Sequence, residues 1–151
     1  MSERPPAYLP PGLPTPAPTR DGLDAPFWEA TRRHRLVVQR CPDCGTHQFG
    51  PEWLCHECLR FDPEWVEVEP SGTVFSWTRV HHPTHPALRD AVPYLAVVVE
   101  LGSAGGVRLV GNLLGDPLQA VRSGLPVVGV FEDHDDADPP FTLVQWRLAV
   151  D

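Results

Sequence analysis

Apolar and polar positions alternate with a short period through the second half of the chain, a pattern typical of β-strands. Residues 64–69 read E-W-V-E-V-E, and residues 94–101 form an apolar run that predicts a fully buried strand. The predicted strands are 64–69, 73–80, 94–101, 107–114, 125–132 and 141–150. Five or six short strands separated by turns favour a small barrel or sandwich, and a five-stranded OB-fold barrel fits this count best.

The residues before these strands follow a different pattern. Residues 24–36 predict a short helix, because Asp24 suits the N-cap, Pro26 suits the first turn and arginines follow toward the C-terminal end. Residues 36–40, L-V-V-Q-R, predict a strand that leads into a pair of cysteines. The fold class we expect is therefore mainly β, with a short N-terminal helix ahead of the barrel.

Four cysteines stand between the helix and the predicted barrel. They form two C-x-x-C pairs separated by ten residues: Cys41, Cys44, Cys55 and Cys58. Two such pairs at this spacing are typical of a zinc ribbon, in which four thiolates hold one ion at tetrahedral corners. The same donors also accept iron, so a rubredoxin-like iron centre is an open alternative. No cysteine remains outside the set to act as a nucleophile.

Proline dominates the first part of the chain. Seven prolines lie between Met1 and Thr19, which disfavours both helix and central strand and favours an extended polyproline conformation. Tyr8, Leu9 and Leu13 are the side chains that such a segment could bury against a partner. We therefore expect three parts: a proline-rich extended tail or linker over 1–23, a helix plus zinc ribbon over 24–63, and an OB-fold over 64–151.

Charge and hydropathy restrict the classes of function. The formal net charge is −8, so the chain as a whole is repelled by phosphate backbones unless a local basic patch compensates. No apolar run reaches the length of about 18 residues that a membrane span needs, and no signal-peptide core is apparent. We expect a cytoplasmic protein, in which paired cysteines bind metal more often than they form disulfides.

Several motifs together resemble one known family. The aromatic pair in the helix, L-V-V-Q-R-C-P-D-C-G at 36–45, the second C-x-x-C, P-Y-L-A-V-V-V-E-L at 93–101 and R-L-V-G-N-L-L-G at 108–115 are similar to the DUF35 family. The resemblance covers about residues 24–150. It implies a rubredoxin-like zinc ribbon followed by an OB-fold, in a protein associated with acyl-CoA chemistry.

The resemblance also implies a role. Members of this family act as companion subunits of thiolase-fold enzymes or are fused to hot-dog-fold hydratases. The chain looks most like the DUF35 segment of steroid side-chain degradation, which pairs with a thiolase-like aldolase that cleaves a hydroxyacyl-CoA in a retro-aldol step. We therefore expect a non-catalytic accessory subunit of a lyase complex, with acyl-CoA near the interface and the proline-rich lead resembling a linker to a hydratase domain.

Some side chains are candidates for contacts with that partner or with coenzyme A. Residues 32–60 hold five arginines against three carboxylates, a net charge of +2 that could hold phosphate groups or face an acidic partner. A histidine-rich loop follows the second barrel-region strand, and its prolines disfavour a helical metal site. The candidates are Arg32, Arg33, Arg35, Arg40, Trp53, His81, His82 and His85.

A nucleic-acid module and an electron carrier are the rival functions. Zinc ribbons and OB-folds both occur in proteins that bind single-stranded nucleic acid. The acidic segment 133–138 in the predicted barrel disfavours that function. The electron carrier follows from the iron alternative. The chain has no nucleophile elbow, phosphate-binding glycine loop or dinucleotide fingerprint, so the sequence itself indicates no catalytic site.

Overall fold

The computed structural model describes residues 17–19 and 21–150, so the predicted tail contacts of Tyr8, Leu9 and Leu13 lie outside the described residues. The described part has one α-helix and eight strands. The helix α1 spans Ala25–Arg32, and the strands are β1 Leu36–Arg40, β2 His47–Gln48, β3 Glu64–Val68, β4 Ser71–Val80, β5 Tyr94–Leu101, β6 Val107–Asn112, β7 Pro126–His134 and β8 Phe141–Leu148. Two 3₁₀ helices span Pro86–Ala91 and Gly102–Ala104.

Strands β4 to β8 form the predicted OB-fold barrel. They make one antiparallel sheet in the order β6-β5-β4-β7-β8. The two outer strands approach each other through a parallel bridge between Leu113 and Trp146, which nearly closes the barrel. Gly111 permits this approach, because a Cβ at that position would lie 2.8 Å from the Trp146 ring. The expectation of a mainly β protein with a five-stranded OB-fold is confirmed.

A second, three-stranded sheet carries the cysteine-rich segment. Its order is β2-β1-β3, and both pairs are antiparallel. Strand β1 leads into the first cysteine pair, and β3 leads out of the segment toward the barrel. The two sheets therefore meet at the turn between β3 and β4, where Ser71 N–H donates to the carbonyl of Glu69 at 2.8 Å.

The helix is shorter than the sequence predicted, ending at Arg32 instead of residue 36. The chain turns there because His34 adopts a positive φ of 55°, and its N–H donates to the Thr31 carbonyl. Asp24 precedes the helix as predicted, but its carboxylate accepts from the Trp28 indole N–H at 2.8 Å and makes no side-chain bond to the backbone of the first turn. The hydrogen bond from the Trp28 ring therefore holds Asp24 in place at the start of the helix.

The apolar interior is continuous from helix to barrel. The cluster includes Phe27 of α1, Leu36 and Val38 of β1, and Trp146 of β8. The expectation that 94–101 is buried on both faces was wrong: alternate residues of β5, beginning with Leu95, are buried, and those between them are half-exposed. A strand of a barrel turns one face toward the interior and the other toward the outside, so buried and half-exposed residues alternate along it.

Five of the six strands predicted from residue 64 onward differ from the structure by one or two residues at one or both ends. The strand predicted at 73–80 begins earlier, because β4 starts at Ser71. The strand predicted at 125–132 continues further, because β7 ends at His134, so Asp133 of the acidic segment lies within it. Asp133 pairs with groups near the end of α1, which stabilise the extra strand residues. None of the helices in 17–19 and 21–150 has the length and hydrophobicity of a membrane span.

Candidate metal centre

The sulfur atoms of Cys41, Cys44, Cys55 and Cys58 converge at one point between the two C-x-x-C turns. All four lie within 4.8 Å of one another, with 3.5 Å between Cys41 and Cys58 and 3.6 Å between Cys44 and Cys55. A tetrahedral ion with metal–sulfur bonds of about 2.3 Å requires sulfurs about 3.8 Å apart, so the cage fits one such ion. A disulfide would need a distance of about 2.05 Å. The four predicted ligands therefore form one closed set of donors for a structural metal ion.

The two turns that carry the cysteines have the same backbone arrangement. In the first turn, the N–H of Gly45 donates to the carbonyl of Cys41, and in the second the N–H of Leu59 donates to the carbonyl of Cys55, both at 2.9 Å. The residue after each second cysteine has a positive φ, 76° at Gly45 and 64° at Leu59. Glycine adopts this conformation without strain, whereas leucine does so at a cost.

Two buried glutamines connect strands β1 and β2 to the segment that leads into the second cysteine pair. Gln39 Oε1 accepts from Gln48 Nε2 and from the N–H of Glu52, each at 2.9 Å, and Gln39 Nε2 donates to the Glu52 carbonyl at 3.1 Å. Gln48 in turn donates to the carbonyl of Leu54 and accepts from the N–H of His56, both at 3.1 Å. Each glutamine side chain thus bonds to backbone N–H and C=O groups of residues 52–56, as a neighbouring strand would. Sequence reasoning missed this pair.

The thiols of the cage differ in exposure and in acidity. Cys41 and Cys55 are buried, whereas Cys44 and Cys58 are exposed. Hydrogen bonding to Thr46, whose hydroxyl lies 3.2 Å from the sulfur, lowers the pKa of Cys44 to about 6. At Cys58 the backbone N–H of Arg60 acts to lower the pKa, but the hydrogen bond with Cys41, burial and the other thiols raise it to about 12. Of these two exposed thiols, Cys44 therefore has the lower pKa.

An ion pair crosses from one cysteine turn to the other. Asp43 stands inside the first C-x-x-C, and its carboxylate pairs with the guanidinium of Arg60, which follows the second. His47 and His56 lie close to the cysteines in the sequence. Among the described residues, neither histidine belongs to the group of side chains that could hold the ion. His47 packs instead against Gly105 of the barrel. The contact is so close that a Cβ at residue 105 would lie 3.1 Å from His47 Nδ1. Burial and the charge of Arg40 lower the pKa of His47.

The arginines predicted to face phosphate or a partner fall into two groups. Arg32 donates to Asp135 at 3.0 Å and to Thr142 at 3.1 Å, both in the barrel, and Arg35 lies 3.4 Å from Glu67 on β3. These two side chains therefore hold the helix and β1 to the rest of the chain. Arg33 and Arg40 are exposed.

Asp133 is the centre of this link between helix and barrel. Its carboxylate accepts from Thr142 Oγ1 at 2.6 Å, contacts His34 Nε2 at 3.0 Å and lies 3.6 Å from Arg32. Burial acts to raise the pKa of Asp133, but the hydrogen bonds from Thr142 and His34 and the nearby positive charges outweigh it and lower the pKa. The His34 ring also stacks on Phe131 with 5.1 Å between the ring centroids.

The three histidines of the predicted loop remain at the surface. His81, His82 and His85 are exposed, and His85 Nδ1 accepts from the N–H of Ala87 at 3.2 Å at the start of the 3₁₀ helix Pro86–Ala91. None of the three belongs to the cysteine cluster. The structure thus separates this loop from the metal centre and gives His85 a local structural contact.

The aromatic residues near the cage divide into packed and exposed rings. Phe49 packs against Phe27 with 5.1 Å between the ring centroids. Trp53, which the sequence suggested as an interface residue, is 67% exposed. Leu59 and Phe61 are equally exposed, and sequence reasoning did not single them out. The signal available in the sequence was the density of large apolar residues in a segment with little core of its own.

Two protein-family descriptions match adjoining segments of the chain. Residues 28–64 match the rubredoxin-like zinc ribbon domain of ChsH2, and residues 65–132 match the C-terminal OB-fold domain of ChsH2. The first segment contains all four cysteines, and the second contains most of the barrel.

Two relatives are much longer than this chain. It is 42% identical over 138 residues to a probable enoyl-CoA hydratase alpha subunit of Thermomonospora curvata, covering 91% of this chain and 40% of that protein. It is 31% identical over 132 residues to the 3-oxo-4,17-pregnadiene-20-carboxyl-CoA hydratase alpha subunit of Mycobacterium tuberculosis, covering 87% of this chain and 39% of that protein. The chain thus spans about two-fifths of the length of these relatives.

A solved structure matches over the full length of its own chain. A chain of the Ltp2-ChsH2(DUF35) aldolase is 40% identical in sequence and superposes with a TM-score of 0.73, covering 90% of this chain and 100% of that chain.

Proposed function

Because this chain belongs to the DUF35 family, with a ChsH2-type zinc ribbon and OB-fold, we propose that it is a non-catalytic accessory subunit of a thiolase-fold acyl-CoA enzyme. The observation that carries the proposal is the similarity to a DUF35 chain of an aldolase, at 40% identity over that chain's whole length. In this proposal the partner supplies the catalytic groups, and the present chain supplies a docking surface and part of the substrate channel.

The reaction we propose for the complex is a retro-aldol cleavage of a steroid side-chain hydroxyacyl-CoA. The name of the mycobacterial relative, a hydratase subunit acting on a pregnadiene-carboxyl-CoA, supports a steroid substrate and an acyl-CoA thioester. Hydration of an enoyl-CoA yields the hydroxyacyl-CoA that a retro-aldolase cleaves, so a hot-dog-fold hydratase is the second partner we propose. Residues 1–23 would act as the linker or tail between these parts, in the cytoplasm.

We infer that the metal is one structural zinc ion. Four protein thiolates would fill all tetrahedral positions of such an ion and leave none for water or substrate, so the ion would stabilise the fold and would not polarise a reactant. The backbone N–H groups near the sulfurs, such as that of Glu57 at 3.4 Å from Cys55, offset the negative charge of the thiolates. A colourless protein with one zinc per chain would separate this inference from a rubredoxin-like iron centre.

The surroundings of the candidate side chains favour an accessory role over catalysis. All four thiols belong to the metal cage, and His85 accepts a backbone hydrogen bond at the start of a 3₁₀ helix. Because Arg32 and Arg35 pair with carboxylates, Arg33 and Arg40 are the better candidates for coenzyme A phosphates. We expect the purified chain to show no hydrolysis, hydration or cleavage of acyl-CoA. Turnover that disappears in His81→Ala or His85→Ala would contradict this expectation.

A single-stranded nucleic acid is a poorer ligand for this chain. OB-folds bind oligonucleotides on the face of their second and third strands and on the loops that flank it, including the loop between the fourth and fifth strands. Here that last loop, between β7 and β8, carries Asp135, Asp136 and Asp138, and α1 packs against β8 beside it. Negative charge at this position repels a phosphate backbone.

Co-expression tests the proposed function directly. The chain is produced with the thiolase-fold subunit encoded in the same genome, and the mixture is separated by size-exclusion chromatography and assayed for retro-aldol cleavage. We expect co-elution, and we expect the partner's activity to fall when the chain is omitted. Separate elution together with full activity of the partner alone would refute the accessory role.

A further inference from the structure

Three large apolar side chains are exposed on the hairpin that carries the second cysteine pair. Trp53, Leu59 and Phe61 are 67%, 65% and 66% exposed, and they fall within nine consecutive positions. We call residues 53–62 the distal hairpin. Isolated apolar residues on a surface are ordinary, but three large ones on one ten-residue unit are a feature of binding surfaces.

The distal hairpin holds these side chains on a rigid backbone. The N–H of Asp62 donates to the Trp53 carbonyl at 3.0 Å, and Leu54 forms a bridge with Phe61. The N–H of Cys55 donates to the Arg60 carbonyl at 2.8 Å, and Cys55 is also one of the four candidate metal ligands. A surface fixed before association loses less conformational entropy when it binds.

Leu59 occupies a backbone position where the first cysteine turn has glycine. Gly45 follows Cys44 with a φ of 76°, and Leu59 follows Cys58 with a φ of 64°. Glycine is the favoured residue for this left-handed conformation, and a branched side chain there is strained. The strain is not offset by burial, because the leucine side chain points largely into solvent. The side chain therefore contributes little to the stability of this chain by itself.

The charges around the three apolar residues are mainly negative. Residues 50–64 contain four carboxylates and one arginine, a net charge of −3, and that arginine pairs with Asp43. The four acidic residues are Glu52, Glu57, Asp62 and Glu64, all exposed. Four of the five arginines in residues 32–60 lie instead on α1 and β1 and in the turn between them. Exposed apolar side chains and four exposed carboxylates, which we call the acidic rim, thus share the distal hairpin and its flanking residues.

We propose that the distal hairpin is a docking element whose exposed side chains Trp53, Leu59 and Phe61 contact an apolar pocket rimmed by lysine or arginine on the thiolase-fold subunit. The acidic rim selects this occupant, because it would repel a second copy of itself and would repel the phosphates of nucleic acid. The proposal rests on the proposed function and deepens it by naming the surface and the charge of its complement.

The size of the patch agrees with an anchor within a larger interface. A buried aromatic side chain contributes on the order of 150–250 Å², so Trp53 and Phe61 supply part of the roughly 800 Å² per partner of a standard interface, and Leu59 adds to it. Tryptophan in the centre of an interface is among the side chains whose truncation reduces affinity most. Trp53 is therefore the side chain of the three whose removal we expect to weaken binding most.

Binding of full-length variants to the immobilised thiolase-fold subunit tests the proposal. Leu59→Gly gives the second cysteine turn the residue type that the first turn has, and it removes the side chain. Trp53→Ser combined with Phe61→Ser removes both aromatic rings. Leu118→Ser is the matched control, because Leu118 is 67% exposed on the barrel part of the chain. We expect each distal-hairpin variant to weaken binding about tenfold or more, with one metal ion per chain retained and with Leu118→Ser unchanged.

The outcomes separate this surface from the proposed function. Wild-type binding that neither distal-hairpin variant weakens would overturn the docking surface and leave the accessory role intact. Failure of the wild-type chain to bind would overturn both. If Leu59→Gly lost its metal, the comparison with Gly45 would be wrong. The double serine variant leaves both cysteine turns unchanged, and its binding alone would then decide whether the distal hairpin is a docking surface.

Ionic strength tests the charge of the complement. Attraction between an acidic rim and a basic pocket weakens as salt rises, because exposed charges are screened. The wild-type dissociation constant should therefore increase between low and high salt, and replacing Glu52, Glu57, Asp62 and Glu64 by their amides should weaken binding at low salt and flatten this dependence. Equal salt dependence in both proteins would contradict the acidic-rim argument.

Discussion

The side-chain amide of Gln39 is bonded to both backbone polar groups of Glu52, as a neighbouring strand would be. Its Oε1 accepts from the Glu52 N–H at 2.9 Å and its Nε2 donates to the Glu52 carbonyl at 3.1 Å. Gln39 is buried at the end of β1, two residues before Cys41. The strand that carries the first ligand is thereby fixed to the segment that approaches the second cysteine pair.

Replacing Gln39 by leucine should weaken metal retention. The change leaves the backbone groups of Glu52 and the amide of Gln48 without their buried partner, and each unsatisfied group costs about 1–3 kcal/mol. Outer hydrogen bonds that position ligands typically affect metal affinity by about 10- to 100-fold, so we expect a loss in that range. Competition with a chromophoric chelator measures it. Gln119→Leu in the barrel, whose amide donates to the Leu114 carbonyl, is the control and should not change metal affinity.

The cysteine cage was predictable from sequence because its donors are defined by residue type and spacing. The glutamine pair was not predictable, because a polar residue at the end of a strand usually faces solvent and only the pairing of β1 with β2 turns Gln39 and Gln48 inward. The one available signal was that Gln39 follows directly on an apolar run. The helix end was misjudged for a related reason, since His34 leaves the helical conformation to contact Asp133, 99 residues away.

Loss of one ligand should remove the ion and unfold the ribbon. We expect about one zinc per chain in the wild type, and we expect Cys44→Ser and Cys58→Ser to lose it together with the structure of both cysteine turns, because structural zinc supplies folding free energy directly. Elemental analysis and amide hydrogen exchange measure the two effects. Ser123→Ala, a change in the barrel away from the cage, is the control. Wild-type protein that contains neither zinc nor iron would contradict the metal assignment.

Acid should release the link between α1 and the barrel. The pKa of Asp133 is lowered in the folded chain, so its contribution to stability is present above the unfolded value of about 3.9 and is lost as pH falls through the lower folded value. Asp133→Asn should therefore reduce the free energy of unfolding by about 1 kcal/mol at pH 7 and by progressively less as pH falls below about 3.9. Urea unfolding at a series of pH values measures this difference.

The matched control for that experiment is Asp136→Asn, at an exposed position in the same acidic segment. Its free energy of unfolding should follow the wild-type pH dependence. A pH-independent loss in Asp133→Asn would mean that the side chain acts through shape and hydrogen bonding alone, and the electrostatic account of the link to Arg32 and His34 would then be wrong.

The proline-rich tail should contribute to the complex and not to the fold. A polyproline segment is already extended, so it loses little conformational entropy when it docks. Deleting residues 1–16 should therefore weaken association with the thiolase-fold subunit while metal content and the thermal midpoint of the barrel stay unchanged. Replacing Tyr8, Leu9 and Leu13 by serine should reproduce the weakening with the length and the prolines intact. If the deletion weakens binding and the serine variant does not, the tail acts as a spacer and its apolar side chains are not buried at the interface.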